Sequence, residues 1–179
     1  MKYRQIFVFA LVLFSVSCSQ QRLKETQLLK KHGLAFMLHD YQRRIEHFER
    51  SGMAEKAQAE RLKIAEQNRA IAQHFKEEFD FCPVYFFYAS QRAELAARKP
   101  VLLNDQLQPD PSIPLPDVVI MADYGLGNLK ENTHKLESFR IDSLGIKISP
   151  TYKTRYKGEI LEARDIRKFD KKLTQMSGQ

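Results

Sequence analysis

The sequence predicts an α+β protein: an N-terminal antiparallel helical hairpin that packs on, or extends from, a small mixed-sheet domain of α/β character. Three observations predict it. Apolar residues recur at spacings of four and three from Leu34 to Phe48, and others fall on or close to one helical face from Ala54 to Phe79, the pattern of amphipathic helices. From Phe81 onward, aromatic and β-branched runs punctuated by prolines replace that period. The helical period then returns at the end, in Ile166, Phe169, Leu173 and Met176. A chain of 179 residues holds one domain with an appendage, and 43% hydrophobic with 28% charged residues is the balance of a chain that buries a core.

The order of elements starts with a leader. Lys2 and Arg4 precede an unbroken apolar run, Ile6 to Phe14, and small residues follow at once in Ser15-Val16-Ser17-Cys18-Ser19. As a helix the run reaches only ~14 Å, about half of a ~30 Å hydrocarbon core, so it reads as the h-region of a signal peptide and not as a membrane span. Residues 1–17 form the expected signal peptide and 18–21 a linker to the fold.

Val16, Ser17 and Cys18 resemble the lipobox of bacterial lipoproteins, whose invariant cysteine ends the signal peptide. The resemblance implies that the Cys18 thiol receives a diacylglyceryl group, that the peptide before it is removed, and that the new amino terminus is acylated, with palmitate as a typical chain. It further implies a membrane partner through the lipid anchor and a location in the bacterial cell envelope, on the periplasmic or surface side. Two or three acyl chains hold a protein at a bilayer where one does not. Ser15 stands where lipoboxes carry a large aliphatic residue, and Ser15-x-Ser17 also reads as the cleavage site of an ordinary secreted product. The only other cysteine is Cys82, so a lipidated Cys18 leaves no intramolecular disulfide.

Residues 22–80 are expected to form the hairpin. Leu34, Leu38, Tyr41, Ile45 and Phe48 mark the seam of a first helix over Arg22–Arg50. Ser51-Gly52 supplies the turn, and Ala54, Ala57, Ile64, Ile71, Phe75 and Phe79 mark a second helix over Met53–Phe79, interrupted by Arg61 and Asn68. The seams satisfy each other, or they offer a docking face to an envelope protein partner. His32, His39, His47 and His74 invite a metal, but helical zinc ligands stand three or four apart, and the spacings here are too wide for a shared ion. No metal or cofactor is expected.

Residues 81–179 are expected to form the α/β domain. Strand segments are read at Phe81–Tyr88, Val101–Leu103 and Asp117–Ala122, with a short helix at Ser90–Arg98 and a proline loop at Asn104–Pro116. Phe139–Ile148 reads as a hairpin or bent strand, Tyr152–Ile160 as an edge strand, and Glu162–Met176 as the closing helix.

Chemistry is sparse. Cys82 lacks both a C-x-x-C partner and a phosphatase-type arginine and reads as an inert thiol. Gly125-x-Gly127 follows an apolar run, as in turns that bring backbone to an anion, but Lys130 stands where the dinucleotide fingerprint needs a third glycine. Asp123, Tyr124, Gly125, Gly127 and Asn128 are therefore a candidate ligand loop in an otherwise plain turn. Asp110, Asp117 and Asp123 are the carboxylates that a metal-dependent or acid/base hydrolase would use.

The net charge of +7 is a mild excess, and two of its cations lie in the leader. Lys147, Lys153, Arg155, Lys157, Arg164, Arg167, Lys168, Lys171 and Lys172 make the C-terminal third basic, which suits an anionic lipid or glycan. With an envelope address, nucleic acid is not the expected partner. The reading of the whole chain is a cell-envelope lipoprotein acting as a non-enzymatic binding or assembly factor, with the hydrolase as the alternative.

Overall fold

The computed structural model describes residues 26–128, 133–141, 152–157 and 161–178. The leader, Cys18, the 18–21 linker, Gly145–Ile148 and Lys147 lie outside the described residues. The chain is of the mixed α+β class, as its sequence predicts.

The elements run α1 (residues 26–32), β1 (Leu34–Leu38), α2 (Gln42–Arg50), α3 (Ala54–Glu78), β2 (Val84–Tyr88), α4 (Arg92–Ala96), β3 (Val119–Asn128), β4 (Thr133–Ile141), β5 (Tyr152–Lys157) and α5 (Ala163–Met176). The five strands form one sheet in the order β2-β1-β3-β4-β5. β1 lies between β2 and β3 and parallels both, whereas β3-β4 and β4-β5 are antiparallel.

The largest departure from the sequence reading is β1. The single helix expected over Arg22–Arg50 does not form: Leu34 and Leu38, assigned to its seam, are two ends of the innermost strand. Gly33 is the physical reason. It adopts φ +80°, its N–H bonds the Leu29 carbonyl at 2.7 Å, and the helix ends there. A Cβ at Gly33 would stand 2.7 Å from the Pro83 carbonyl oxygen and from Tyr85 Cε2, so only glycine fits where α1 passes into β1. All five residues that follow are buried, the mark of a parallel strand covered on both faces, and such a strand has no alternation to betray it.

Ser51 and Gly52 turn the chain, and α2 packs on the first half of α3 through Ile45, Phe48, Ala57 and Ile64. The second half of α3 covers the sheet. Residues 26–80 thus supply an interior strand as well as a helical arm; the arm has its own small core, and the second half of α3 shares the main core with residues 81–179.

Strand alternation divides the core into two layers. Leu34, Phe36, Leu38, Phe86, Ile120, Ala122 and Tyr124 face α3 and α5, where Ile71, Phe75, Phe79, Ile166, Phe169 and Leu173 meet them. Ala35, Met37, Phe87, Val119 and Met121 face Leu95 of α4 and the loop that follows it, through Val101 and Leu102. The β1-to-β2 crossover covers one face and the β2-to-β3 crossover the other. That is what a constant crossover hand requires when the chain reverses its direction of travel across the sheet.

Other boundaries shift modestly. Val101–Leu103 is not a full strand: only Leu103 bridges, to Phe86 and Pro109, and it lies over the edge of β2. The helix read at Ser90–Arg98 is a 3₁₀ turn, Ala89–Gln91, followed by α4. β5 and α5 lie where the sequence puts an edge strand and a closing helix.

Candidate functional site

Ligands of open sheets with parallel strands bind outside the strands' carboxyl ends, where the order of connection reverses. In this chain that place is the end of β1, from which the chain runs first to β2 on one side and later returns to β3 on the other. A crevice of about 670 Å³ opens there, lined by His39, Asp40, Tyr41, Arg43, Ala89 and Ser90 among others.

Each of these side chains is placed by the backbone beneath it. His39 follows β1 directly, and its Nε2–H donates to the Tyr124 carbonyl at 2.9 Å, tying β1 to β3 beyond their last paired residues. Its imidazole lies edge-on to the Tyr124 ring at 4.7 Å and stacks on Tyr41 at 5.4 Å. Behind it, buried Asn68 of α3 donates Nδ2–H to the His39 carbonyl at 3.0 Å. Asn68, which breaks the apolar seam of α3, satisfies a backbone acceptor where the strand ends. On the opposite wall the Ser90 hydroxyl donates to the Asp40 carboxylate, joining the ends of β1 and β2.

Tyr41 adopts φ 45° and ψ 33°, a left-handed conformation that costs a non-glycine residue about 1–3 kcal/mol. It turns the chain directly from β1 into α2 and leaves a large aromatic ring 45% exposed at the crevice. α2 begins without a side-chain cap and with no acid in its first turn; the acids lining the crevice are Asp40, just before that positive end, and Glu46, one turn into the helix. Arg44 pairs with Glu60 at 3.1 Å. The crevice therefore combines two carboxylate acceptors, guanidinium donors, a hydroxyl and a flat ring. That set suits polar recognition. It does not form a nucleophile–base chain, because Ser90 bonds a carboxylate and not an imidazole.

Of the candidate ligand loop, Asp123, Tyr124, Gly125, Gly127 and Asn128 are a stretch of β3 and not a turn. Asp123 pairs with Glu137, Tyr124 with Leu136, Gly125 with Lys135 and Asn128 with Thr133, and the register shifts between Leu126 and Asn128. A glycine pair can interrupt side-chain packing without ending a strand when a partner strand supplies the ladder. Tyr124 of this set meets a residue that lines the crevice, His39, through its carbonyl and its ring.

The three aspartates of the hydrolase reading lie at different places. Asp110 accepts from the Ser112 hydroxyl at 2.6 Å and its N–H at 2.9 Å, and these bonds hold its carboxyl below the ordinary carboxylate value. Asp117 precedes the amino end of β3, and Asp123 lies inside that strand, paired with Glu137. Among the described residues no cluster of three His, Cys, Asp or Glu side chains is placed to hold a metal ion.

Burial, then the charge of Asp170, pushes the Cys82 thiol up to about 12, which keeps it protonated and unreactive near neutrality. Of the basic C-terminal residues, Arg167 forks onto Glu78, with Nε 2.6 Å from Oε2, Arg164 pairs with Glu162 at 3.0 Å, and Lys168 donates to buried Asp165 at 3.3 Å. Arg167 thus ties α5 to the end of α3, while Arg164 and Lys168 pair within α5 and its first turn. No described helix is long and apolar enough to cross a membrane.

Sequence reading missed Asp40, Tyr41, Arg43 and Ser90 and weighed His39 only as a metal ligand. The available signal was Gly33, five apolar residues and then His-Asp, a strand running into a polar turn. No protein-family model, curated protein or solved structure matches this chain.

Proposed function

We propose that this chain is an exported, lipid-anchored protein of the bacterial cell envelope that acts by binding, and that its ligand site is the crevice at the carboxyl ends of β1 and β2. The address rests on the leader and on Cys18. The binding role rests on one observation: Asp40, Ser90, Arg43 and the stacked pair His39–Tyr41 converge on a single crevice where the strand order reverses. Asp40 supplies an acceptor, Arg43 and Gln42 supply donors, and Tyr41 offers a flat face. A hydroxyl-rich ligand of glycan type uses all of these at once, whereas an apolar ligand would leave Asp40 and the guanidinium groups desolvated without partners.

Two measurements test this reading. Labelled palmitate is expected to enter the wild-type chain in a lipoprotein-processing host and not to enter Cys18→Ser; equal labelling, or none in either, removes the address. Titration with soluble fragments of envelope glycan is expected to give saturable binding that weakens at least tenfold in Asp40→Asn and in Tyr41→Ala. Absence of saturation, or equal affinity in both variants, removes the site.

A further inference from the structure

A second cavity, of about 570 Å³, lined by none of the crevice residues, lies between α3, the edge of β2 and the loop that follows Leu103. Its volume falls within the range of small-molecule pockets, about 300–1,000 Å³. The walls are apolar: Phe75 and Phe79 from α3, Val84 and Phe86 from β2, Leu107 and Ile113 from the loop.

The charges sit at its rim. Arg69 and Lys76 are seven residues apart on α3, two turns along one face and about 10 Å in axial rise. Lys76 reaches across the mouth to Asp105 at 2.6 Å, in a pair whose side chains are 52% and 77% exposed. Such an exposed pair contributes little stability and exchanges partners readily. Arg69 has no carboxylate within ion-pair distance among the described residues. The rim thus carries two cations against one acid, above a floor of aromatic and aliphatic side chains.

We propose that this groove binds a long-chain fatty acid, its hydrocarbon against Phe75, Phe79 and Phe86 and its carboxylate at Arg69 and Lys76 in place of Asp105. An apolar body with a single anionic head matches an apolar channel with a cationic rim. A neutral chain would take the floor and leave the guanidinium and ammonium without a new partner. Leu107, at φ 58°, and the Tyr88 hydroxyl, which donates to the Leu107 carbonyl at 2.8 Å, hold the loop wall in place.

The test uses the full chain in its membrane fraction, photolysed with diazirine-bearing palmitate and mapped by mass spectrometry. Label is expected on peptides containing Arg69–Phe79 and Leu103–Ile113, and unlabelled palmitate should displace it at least tenfold more effectively than hexadecanol does. The surface variant Arg69→Gln/Lys76→Gln should lose at least tenfold of the labelling, and Val84→Trp, which fills the groove, should lose it while retaining the wild-type circular dichroism spectrum. Label elsewhere, equal competition by hexadecanol, or labelling indifferent to both variants overturns the proposal.

Discussion

β1 and α2 are separated by three residues yet are held by different means. All five β1 residues are buried, with strands on both sides and packed side chains on both faces. Of the nine α2 residues only Ile45 is buried, and the arm that α2 makes with the first half of α3 has a core of Ile45, Ala57 and Ile64 with Phe48 alongside. Of its ion pairs, Arg61–Glu49 is exposed and contributes little, and Arg44–Glu60 is exposed on the arginine side. The crevice lies where the two regimes meet, so its floor is rigid and one wall belongs to the less stable arm. Local opening free energies follow burial of this kind, and binding sites are commonly drawn from the low-stability end.

Perturbing the floor should have the largest effect. Phe36 is fully buried and touches Phe75 at 4.4 Å and Tyr124 at 5.6 Å between ring centroids. Phe36→Ala is expected to cost about 3–5 kcal/mol in urea unfolding, lost across the whole molecule in one transition. Gly33→Ala should follow at about 2–4 kcal/mol, because the new Cβ meets the Pro83 carbonyl and the left-handed φ is retained. Ile64→Ala in the arm should cost about 2 kcal/mol, with faster hydrogen exchange confined to α2 and the first half of α3. If exchange in β1 quickened equally, the distinction between floor and arm would be wrong.

Asn68→Ala joins the two regimes and should cost about 1–2 kcal/mol, since it leaves the His39 carbonyl without its donor. The smallest effect belongs to the Glu78–Arg167 pair, exposed on the arginine side. Its hydrogen bonds lower the Glu78 carboxyl below the ordinary 4.5, so its contribution is present above that value and fades as pH falls through the lowered one. Glu78→Gln should leave stability near neutrality almost unchanged and flatten only this part of the acid limb of a pH–stability profile.

The same contrast decides what the sequence made legible. α3, α5 and the Ser51-Gly52 turn were readable because amphipathic helices and glycine turns announce themselves through spacing. β5 was readable as an edge strand. β1 was hidden because a strand buried on both faces has no alternation, and Leu34 and Leu38 happen to continue the spacing of Ile45 and Phe48. Gly33 was the one local sign of the break. The crevice was hidden with it: His39, Asp40 and Tyr41 look like a helix surface until β1 ends beneath them, and Ser90 reaches Asp40 only through strand pairing fifty residues apart in sequence. The groove above Phe75 and Phe86 likewise depends on which face of α3 meets the edge of β2, and that is decided by topology.

Residue-resolved hydrogen exchange, with and without soluble envelope glycan fragments, tests most directly the claim that a rigid strand end and a less stable arm together make a polar binding site. Amides of Ala35–Met37 should exchange only through global unfolding, those of Arg44–Glu66 through local opening, and ligand should slow the residues around His39–Glu46 and Ser90 while leaving α5 unaffected. Exchange in β1 as fast as in the arm, or an exchange pattern around His39 and Ser90 that ligand does not change, would contradict the account.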